Sequence, residues 1–360
     1  MKKYILSFFV LLFAMPAFAC TSVIISGKMS ASGRPVMYKH RDTRKLDNFI
    51  GRYTGEKYTF IGLVNSETEG CEVWMGTNNV GFSIMNTATY DLKDDDVPAS
   101  QMDREGNLMY LALGKCESIK DFETLLDTLS RPMGVEANFG VIDAHGGAAY
   151  YEVNNHKWVK FDVNDNKVAP LGYLVVTNFT QTGRPQDRKG VDRYDKGYEI
   201  MKSVVPGKKD LFCDHAFLLN RFSREGKPIL RSITSSAIAI EGVADGGDPT
   251  KSVMWTICGY PTATPCIPLM VLDVDFIPYY LRAGDDNHSV ICDIAMNFKS
   301  QDKDLSKVCR DLEKFIDKGF SKIYNDWVSQ KITDSQFKVS YNSLLSKLFE
   351  KYEEKLAKIY

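Results

Sequence analysis

The sequence predicts an α+β protein built in layers from antiparallel sheets, and three observations support this class. Short apolar segments of β character fill the chain before residue 100, and blocks of helical periodicity and further strands follow. Segregated blocks of strands and helices are typical of α+β folds. Several strands are almost wholly apolar, as expected where other layers cover both faces. With 44% hydrophobic and 25% charged residues among 360, the composition excludes a largely disordered chain.

The predicted strands are short apolar runs bounded by turn residues, and the predicted helices follow the 3.6-residue period. Strands are expected at residues 21–27, 36–40, 57–64, 72–75, 80–87, 138–143, 147–153, 157–161, 173–178, 251–258 and 266–271. Helices are expected at residues 104–116, 119–130, 192–204 and 210–222.

The end of the chain has a different character. Apolar residues recur at helical spacing on both sides of Thr333-Asp-Ser-Gln336, which has the form of a capping box. Residues 303–359 are therefore expected to form an α-hairpin packed on the rest of the protein or on another subunit. We divide the chain into segments 1–19, 20–300 and 301–360.

The first 19 residues have the pattern of an export signal. Two lysines precede an apolar run at residues 5–13, and Ala17 and Ala19 are the small residues at −3 and −1 that signal peptidase recognises. This run is too short for a permanent membrane span, and no later run reaches about 18 apolar residues. We expect a periplasmic or secreted protein whose mature chain begins at Cys20.

Cys20 has three interpretations in this position. Cleavage would expose its α-amine, with a reference pKa of about 7.7–8.0, beside a thiol of about 8.5, so the amine could take the thiol proton. Alternatively, Cys20 is a lipidated anchor, although Ala17 and the bulky Phe18 do not fit the usual lipoprotein signal. In the third interpretation a cysteine simply follows the cleavage site.

A predicted hairpin brings two charged residues toward Cys20. A polar turn with Gly33 and Pro35 separates the first apolar strand from a second, which ends in Arg41 and Asp42. The returning strand places both residues beside the start of the first. There a guanidinium could favour a thiolate, and a carboxylate could hold an α-ammonium.

These residues together resemble the N-terminal nucleophile (Ntn) hydrolases of the choloylglycine hydrolase and penicillin V acylase type. The resemblance begins with the Cys20-Thr21 start, the hairpin and the Arg-Asp pair. The stretch GRPVMYKHRDT is most similar to the branch that includes carcinine hydrolase and the acyl-coenzyme A:6-aminopenicillanic-acid acyltransferases. Further motifs, individually weak, occur in the family's order across residues 20–270.

The resemblance also assigns roles to later residues. The turn at residues 76–81 resembles the family's glycine-asparagine turn, so Asn78 or its neighbouring backbone is expected in the oxyanion hole. The strand ending in Thr177-Asn178 implies that Asn178 is the other oxyanion donor. Arg193, at the start of a predicted helix, is expected near the nucleophile.

The fold and activity implied by this resemblance are specific. The fold would be a four-layer αββα sandwich, the Ntn hydrolase fold, with the C-terminal α-hairpin added. Cys20 would attack the carbonyl of a small-molecule N-acyl amide, using its own amine as base, and water would release the acyl-enzyme. Two alternatives stay open, a dipeptidase with the same nucleophile and a non-enzymatic lipoprotein or binding module anchored through Cys20.

Composition and motifs argue against other classes of partner. A net charge of −1 gives no field that favours nucleic acid. The sequence lacks the glycine-rich phosphate-binding motifs, and its five histidines lack zinc-site spacing, so neither a cofactor nor a metal is expected. Cys258 and Cys266, on adjacent predicted strands, could pair in an oxidising compartment. A homo-oligomer stays open.

Overall fold

The computed structural model describes residues 19–30, 32–68, 70–94, 96–203, 229–272 and 277–359. Most of the predicted signal peptide and the helix predicted at 210–222 lie outside these residues. No helix within the described ranges is both long enough and apolar enough to cross a bilayer.

Thirteen described strands form two antiparallel sheets. The first sheet has the order β10-β1-β2-β11-β12-β13 and the second β3-β4-β5-β6-β7-β8-β9. Their bounds are β1 Ala19–Ile25, β2 Val36–Asp42, β3 Asn48–Thr54, β4 Thr59–Asn65, β5 Met75–Asn78, β6 Ser83–Ala88, β7 Ala137–Ile142, β8 Ala148–Val153, β9 Trp158–Asp162, β10 Tyr173–Val176, β11 Thr234–Glu241, β12 Val253–Cys258 and β13 Ile267–Leu269.

Helices cover the outer faces of the two sheets. The described helices are α1 Glu105–Lys115, α2 Ile119–Thr128, α3 Val191–Ser203, α4 Val290–Ser300, α5 Ser306–Val328 and α6 Asp334–Leu356. Helices α1 and α2 share an apolar core with the second sheet. Helix α3 lies against β1 and β10, and Tyr341 of α6 donates a hydrogen bond to the carbonyl of Pro268 in β13 at 2.7 Å.

The inner faces of the sheets pack against each other. The hydroxyl of Tyr150 in β8 donates to Ser22 Oγ in β1 at 3.0 Å. A Cβ at Gly140 in β7 would lie 3.0 Å from Cδ1 of Ile24 in β1, so the Ile24 side chain packs directly on the second sheet there. The order of layers is therefore helix, sheet, sheet, helix, which confirms the predicted αββα class.

The predicted C-terminal hairpin is formed by α5 and α6. Thr333 Oγ1 accepts a hydrogen bond from the amide of Gln336 at 3.2 Å, and Gln336 Oε1 accepts from the amide of Thr333 at 2.8 Å. This reciprocal pair is the predicted capping box. The hairpin packs on the first sheet, where the rings of Trp255 and Phe320 meet edge to face at 5.5 Å.

Three elements were not predicted, namely β3, β11 and α4. Strand β11, with the sequence TSSAIAIE, is the most important because it lies between β2 and β12. Its serines and alanines have weak strand propensity, so only the neighbouring strands reveal it.

The suggested pairing of Cys258 with Cys266 is wrong, because both thiols are free. The pairing of β12 with β13 aligns Thr256 with Ile267. Cys258 instead lies 3.8 Å from Ser289 Oγ, measured from its sulfur.

Candidate active site

The hairpin of β1 and β2 sets the geometry around Cys20. Its register places Cys20 opposite Arg41 and Ala19 opposite Asp42, which confirms the predicted hairpin. Directly opposed residues share one face of a sheet, and side chains alternate along each strand. Because Ser22 contacts the second sheet, Cys20 faces the space between the sheets together with Arg41 and Lys39.

The backbone of Cys20 is held by residues from two other parts of the fold. Its nitrogen donates to Asn178 Oδ1 at 2.8 Å. The Arg193 guanidinium donates to the carbonyl oxygen of Cys20 and, at 2.7 Å, to the same Asn178 oxygen. Cys20 is 6% exposed, and Asn178 and Arg193 are also buried. The structure thus brings together three residues that the sequence assigned to one site.

The register of β10 explains why Asn178 reaches Cys20. Val176 lies opposite Ser22 in the antiparallel pair of β10 and β1, so the chain two residues further on comes level with Cys20. The Asn178 amide nitrogen donates to the carbonyl of Ala88 at 2.6 Å, and this bond orients the carboxamide with its oxygen toward Cys20. One amide hydrogen is left for an oxyanion, and that expected role stays a prediction.

Lys39 is a residue of this site that the sequence analysis missed. Its ammonium donates to the Trp74 carbonyl at 2.7 Å and to Asn86 Oδ1, on β6 of the second sheet, at 2.8 Å. Burial lowers the pKa of Lys39 to about 7, and the Cys20 charge opposes this shift. Strand alternation was the available signal, because Lys39 stands two residues before Arg41 and must share its face.

Arg41 is fixed by contacts on several sides. One guanidinium nitrogen donates to Asn48 Oδ1 at 2.9 Å and lies 3.4 Å from Ser235 Oγ. The guanidinium carbon is 4.9 Å from the centre of the Trp74 ring, within the range of cation–π attraction. Burial lowers the pKa of Arg41 to about 10, so it stays positive at neutral pH.

Asp42 occupies the opposite face of β2. It accepts a hydrogen bond from Thr234 Oγ1 at 2.6 Å and lies 3.5 Å from the Arg231 guanidinium. Burial raises the pKa of Asp42 to about 6, against the hydrogen bond from Thr234 and the charge of Arg193. Asp42 lies beside the peptide that precedes Cys20, which is the region where the sequence placed it.

Asn78 does not have the contacts expected of an oxyanion donor. Its amide nitrogen donates to the carbonyls of Leu113 and Cys116, at the end of α1, at 3.0 and 2.8 Å. Its side-chain oxygen accepts from the amides of Val80 and Phe82. Both amide hydrogens are thus used on the outer side of the second sheet, so the side chain ties β5 to α1 instead.

Among the described residues, two groups of surface side chains have donor atoms close enough to hold a cation. They are Asp47, His288 and Asp293, and Asp94, Asp96 and His156. Neither group includes a residue that contacts Cys20. Cys20 interacts electrostatically with Lys39, Arg41 and Arg193, so its thiol lies among cationic side chains.

Comparison with known proteins gives distant structural similarities. No family model and no curated protein matches the sequence. An N-acylethanolamine-hydrolyzing acid amidase ortholog from Caenorhabditis elegans has a TM-score of 0.47 and 15% identity, covering 61% of this chain and 92% of that one. A mutant conjugated bile acid hydrolase from Clostridium perfringens has a TM-score of 0.42 and 12% identity, covering 70% and 92%. Penicillin V acylase from Agrobacterium tumefaciens has a TM-score of 0.42 and 11% identity, covering 71% and 87%.

Proposed function

We propose that this protein is an exported cysteine amidohydrolase that cleaves a linear N-acyl amide, a carbon–nitrogen bond other than a peptide bond. Cys20, made N-terminal by cleavage after Ala19, is the nucleophile. The observation that carries the proposal is the bond from the Cys20 nitrogen to Asn178 Oδ1, which Arg193 reinforces. An acceptor placed there would orient a free α-amine beside its own thiol.

The reaction follows from that placement. The α-amine takes the thiol proton, and the sulfur attacks the carbonyl carbon of the amide. The carbon–nitrogen bond breaks as the ammonium gives its proton to the leaving amine. A thioester to Cys20 is left, and water, deprotonated by the same amine, hydrolyses it to the acid.

The tetrahedral intermediate needs stabilisation of its negative oxygen. Lys39 and Arg41 supply positive charge on the same face as the Cys20 thiol. Lys39 occupies the Asn86 oxygen, so the Asn86 amide group is left to act as a donor beside the Lys39 charge. We propose Asn86 in the role first expected of Asn78, together with the remaining amide hydrogen of Asn178. Loss of one such donor costs about 10²–10³ in kcat in well-studied enzymes.

A single-turnover experiment tests the nucleophile. The mature chain is mixed with N-acyl amides of one chromogenic amine, and intact mass is followed with product release. We expect a transient adduct of acyl mass on Cys20, and near-complete loss of turnover in Cys20→Ser. The control is Cys71→Ser, which alters an exposed thiol. Full activity of Cys20→Ser would refute the proposal.

Two measurements separate the remaining alternatives. Faster cleavage of dipeptides than of N-acyl amines would make the protein a dipeptidase with the same nucleophile. A diacylglyceryl mass on the exported protein would identify a lipid anchor, because lipidation consumes both the amine and the thiol.

A further inference from the structure

A cavity of about 420 Å³ opens beside the edge strand β10, and its lining extends to Thr177, the residue before Asn178. Five aromatic side chains line it, namely Tyr150, Phe161, Phe179, Tyr194 and Tyr198. Aliphatic side chains of β10 complete the apolar wall. Such a volume is in the range of small-molecule sites.

The burial pattern of β10 shows that one face of this strand is only partly covered by other side chains. Tyr173 and Val175 are buried, whereas Leu174 and Val176 are only partly so. Leu174 lies opposite Ile24, and Val176 opposite Ser22. Both therefore project toward the side of the second sheet, where the cavity leaves them uncovered.

The pairing of β10 with β1 also relates the position of the cavity to that of Cys20. Leu174 and Val176 precede Asn178 at two-residue steps, each roughly 7 Å along a strand. Tyr150 lines the cavity, and its hydroxyl contacts Ser22, the next residue on the Cys20 face of β1. An acyl group attached to the Cys20 sulfur could therefore extend along β10 into the cavity.

The aromatic side chains form a connected surface. The ring centres of Phe179 and Tyr194 are 5.1 Å apart, and those of Tyr194 and Tyr198 are 4.9 Å apart in an edge arrangement. Tyr194 and Tyr198 stand four residues apart on α3, so they lie on one face of the helix. Rings arranged in this way offer both faces and edges to another ring.

Two charged side chains, Glu152 and Lys167, line the cavity beside the aromatic residues. The Glu152 carboxylate lines the cavity but accepts hydrogen bonds from the amide and the hydroxyl of Thr182, at 3.0 and 2.6 Å. Its negative charge is thus already solvated by fixed donors.

We propose that this cavity is the acyl subsite and that it selects aromatic acyl groups. The inference rests on the proposed function, because it assumes that Cys20 carries the acyl group. It predicts a substrate whose acyl half contains an aryl ring and whose amine half lies on the other side of Cys20.

The test compares the p-nitroanilides of acetic and 2-naphthylacetic acid, which share one leaving group. We expect kcat/KM for the naphthylacetyl amide to exceed that for the acetyl amide by about 10–200-fold. Leu174→Trp, which fills the cavity, should lower this ratio at least 10-fold, and Tyr198→Ala should lower it in the same direction. Tyr279→Ala alters an exposed ring outside the cavity and should leave the ratio unchanged. A ratio near one in the wild type, or one unaffected by Leu174→Trp, overturns the subsite.

A binding measurement separates this subsite from the proposed chemistry. Calorimetric titration of Cys20→Ala with 2-naphthylacetate should show binding that Leu174→Trp weakens at least 10-fold. If this holds while no amide is hydrolysed, the cavity stands and the proposed function fails. If amides are hydrolysed but neither the acyl preference nor this binding is seen, the proposed function stands and the subsite is refuted.

Discussion

At the scale of single residues, burial shifts the pKa values of the ionisable side chains around the candidate site. Lys39, Arg41 and Asp42 lie on one strand beside the candidate nucleophile, and each has a pKa moved by burial toward its neutral form. Such clusters are common at catalytic sites, because a charge in a poorly solvated space acts strongly on its neighbours. The consequence is that activity should depend on pH through these groups.

Lys39 should produce a falling limb in the pH profile. With its pKa lowered to about 7, it is positive below that pH and neutral above it. We expect kcat/KM to decline above about pH 7 as the charge facing the oxyanion is lost. Lys39→Arg should move this decline to higher pH, because a guanidinium stays charged. Lys347→Arg, on the surface, is the control. An unchanged limb in Lys39→Arg would contradict the role.

Glu105 offers a test of stability away from the site. It is buried and accepts a hydrogen bond from the Glu136 amide at 2.9 Å, and burial raises its pKa to about 7. A raised pKa contributes stability that is complete below about 4.5 and is lost as the pH rises through about 7. Glu105→Gln should therefore be more stable than the wild type at pH 8, by up to about 3 kcal/mol. The two proteins should converge near pH 4 in urea unfolding. Glu350→Gln, at an exposed position, should change little, and equal stability of Glu105→Gln and wild type at pH 8 would contradict the shift.

At the scale of elements, the sequence predicted those structures that depend only on residues close together in the chain. The β1–β2 hairpin and the capping box at Thr333 follow from turn and cap residues, and the structure confirms both. Strand β11 was missed because its Ser and Ala residues become a strand only between β2 and β12. The cross-sheet bond of Lys39 to Asn86 was missed for the same reason, since it joins residues 47 positions apart.

The cap of α6 can be tested alone. Thr333→Ala removes the acceptor for the Gln336 amide and should lower the free energy of unfolding by about 1 kcal/mol. Ser335→Ala, two residues further on and exposed, is the matched control and should have little effect. Urea denaturation measures both. Equal stability of the two variants would show that the cap does not hold the hairpin.

At the scale of the whole molecule, the order of the layers was predictable, but the polar contacts between the layers were not. Apolar strands and amphipathic helices indicate what must be buried, so they predict the sandwich. They do not indicate which buried polar groups meet. Asn78 and Asn86 both lie in strands of the second sheet, yet one binds α1 and the other Lys39. Only the packing of the sheets distinguishes them.

The proposed activation by cleavage gives a prediction about the whole chain. Ala19 of β1 pairs with Asp42 of β2, so a chain that begins at Ala19 should fold as the mature chain does. Its Cys20 nitrogen, however, would be an amide without basicity. We expect equal thermal stability for chains starting at Ala19 and at Cys20, and hydrolysis by the second alone. Turnover by the Ala19 chain, with its N-terminus verified by mass, would remove the α-amine from the mechanism.

For the proposed cleavage, the position of the bond between Ala19 and Cys20 also implies an order of events. Both residues are buried, at 4% and 6% exposure, and both are paired with β2. A peptidase needs an extended, accessible backbone, which this segment offers only before the sheet assembles. Under the proposed activation, cleavage would therefore precede folding, and a precursor that folds first would stay inactive.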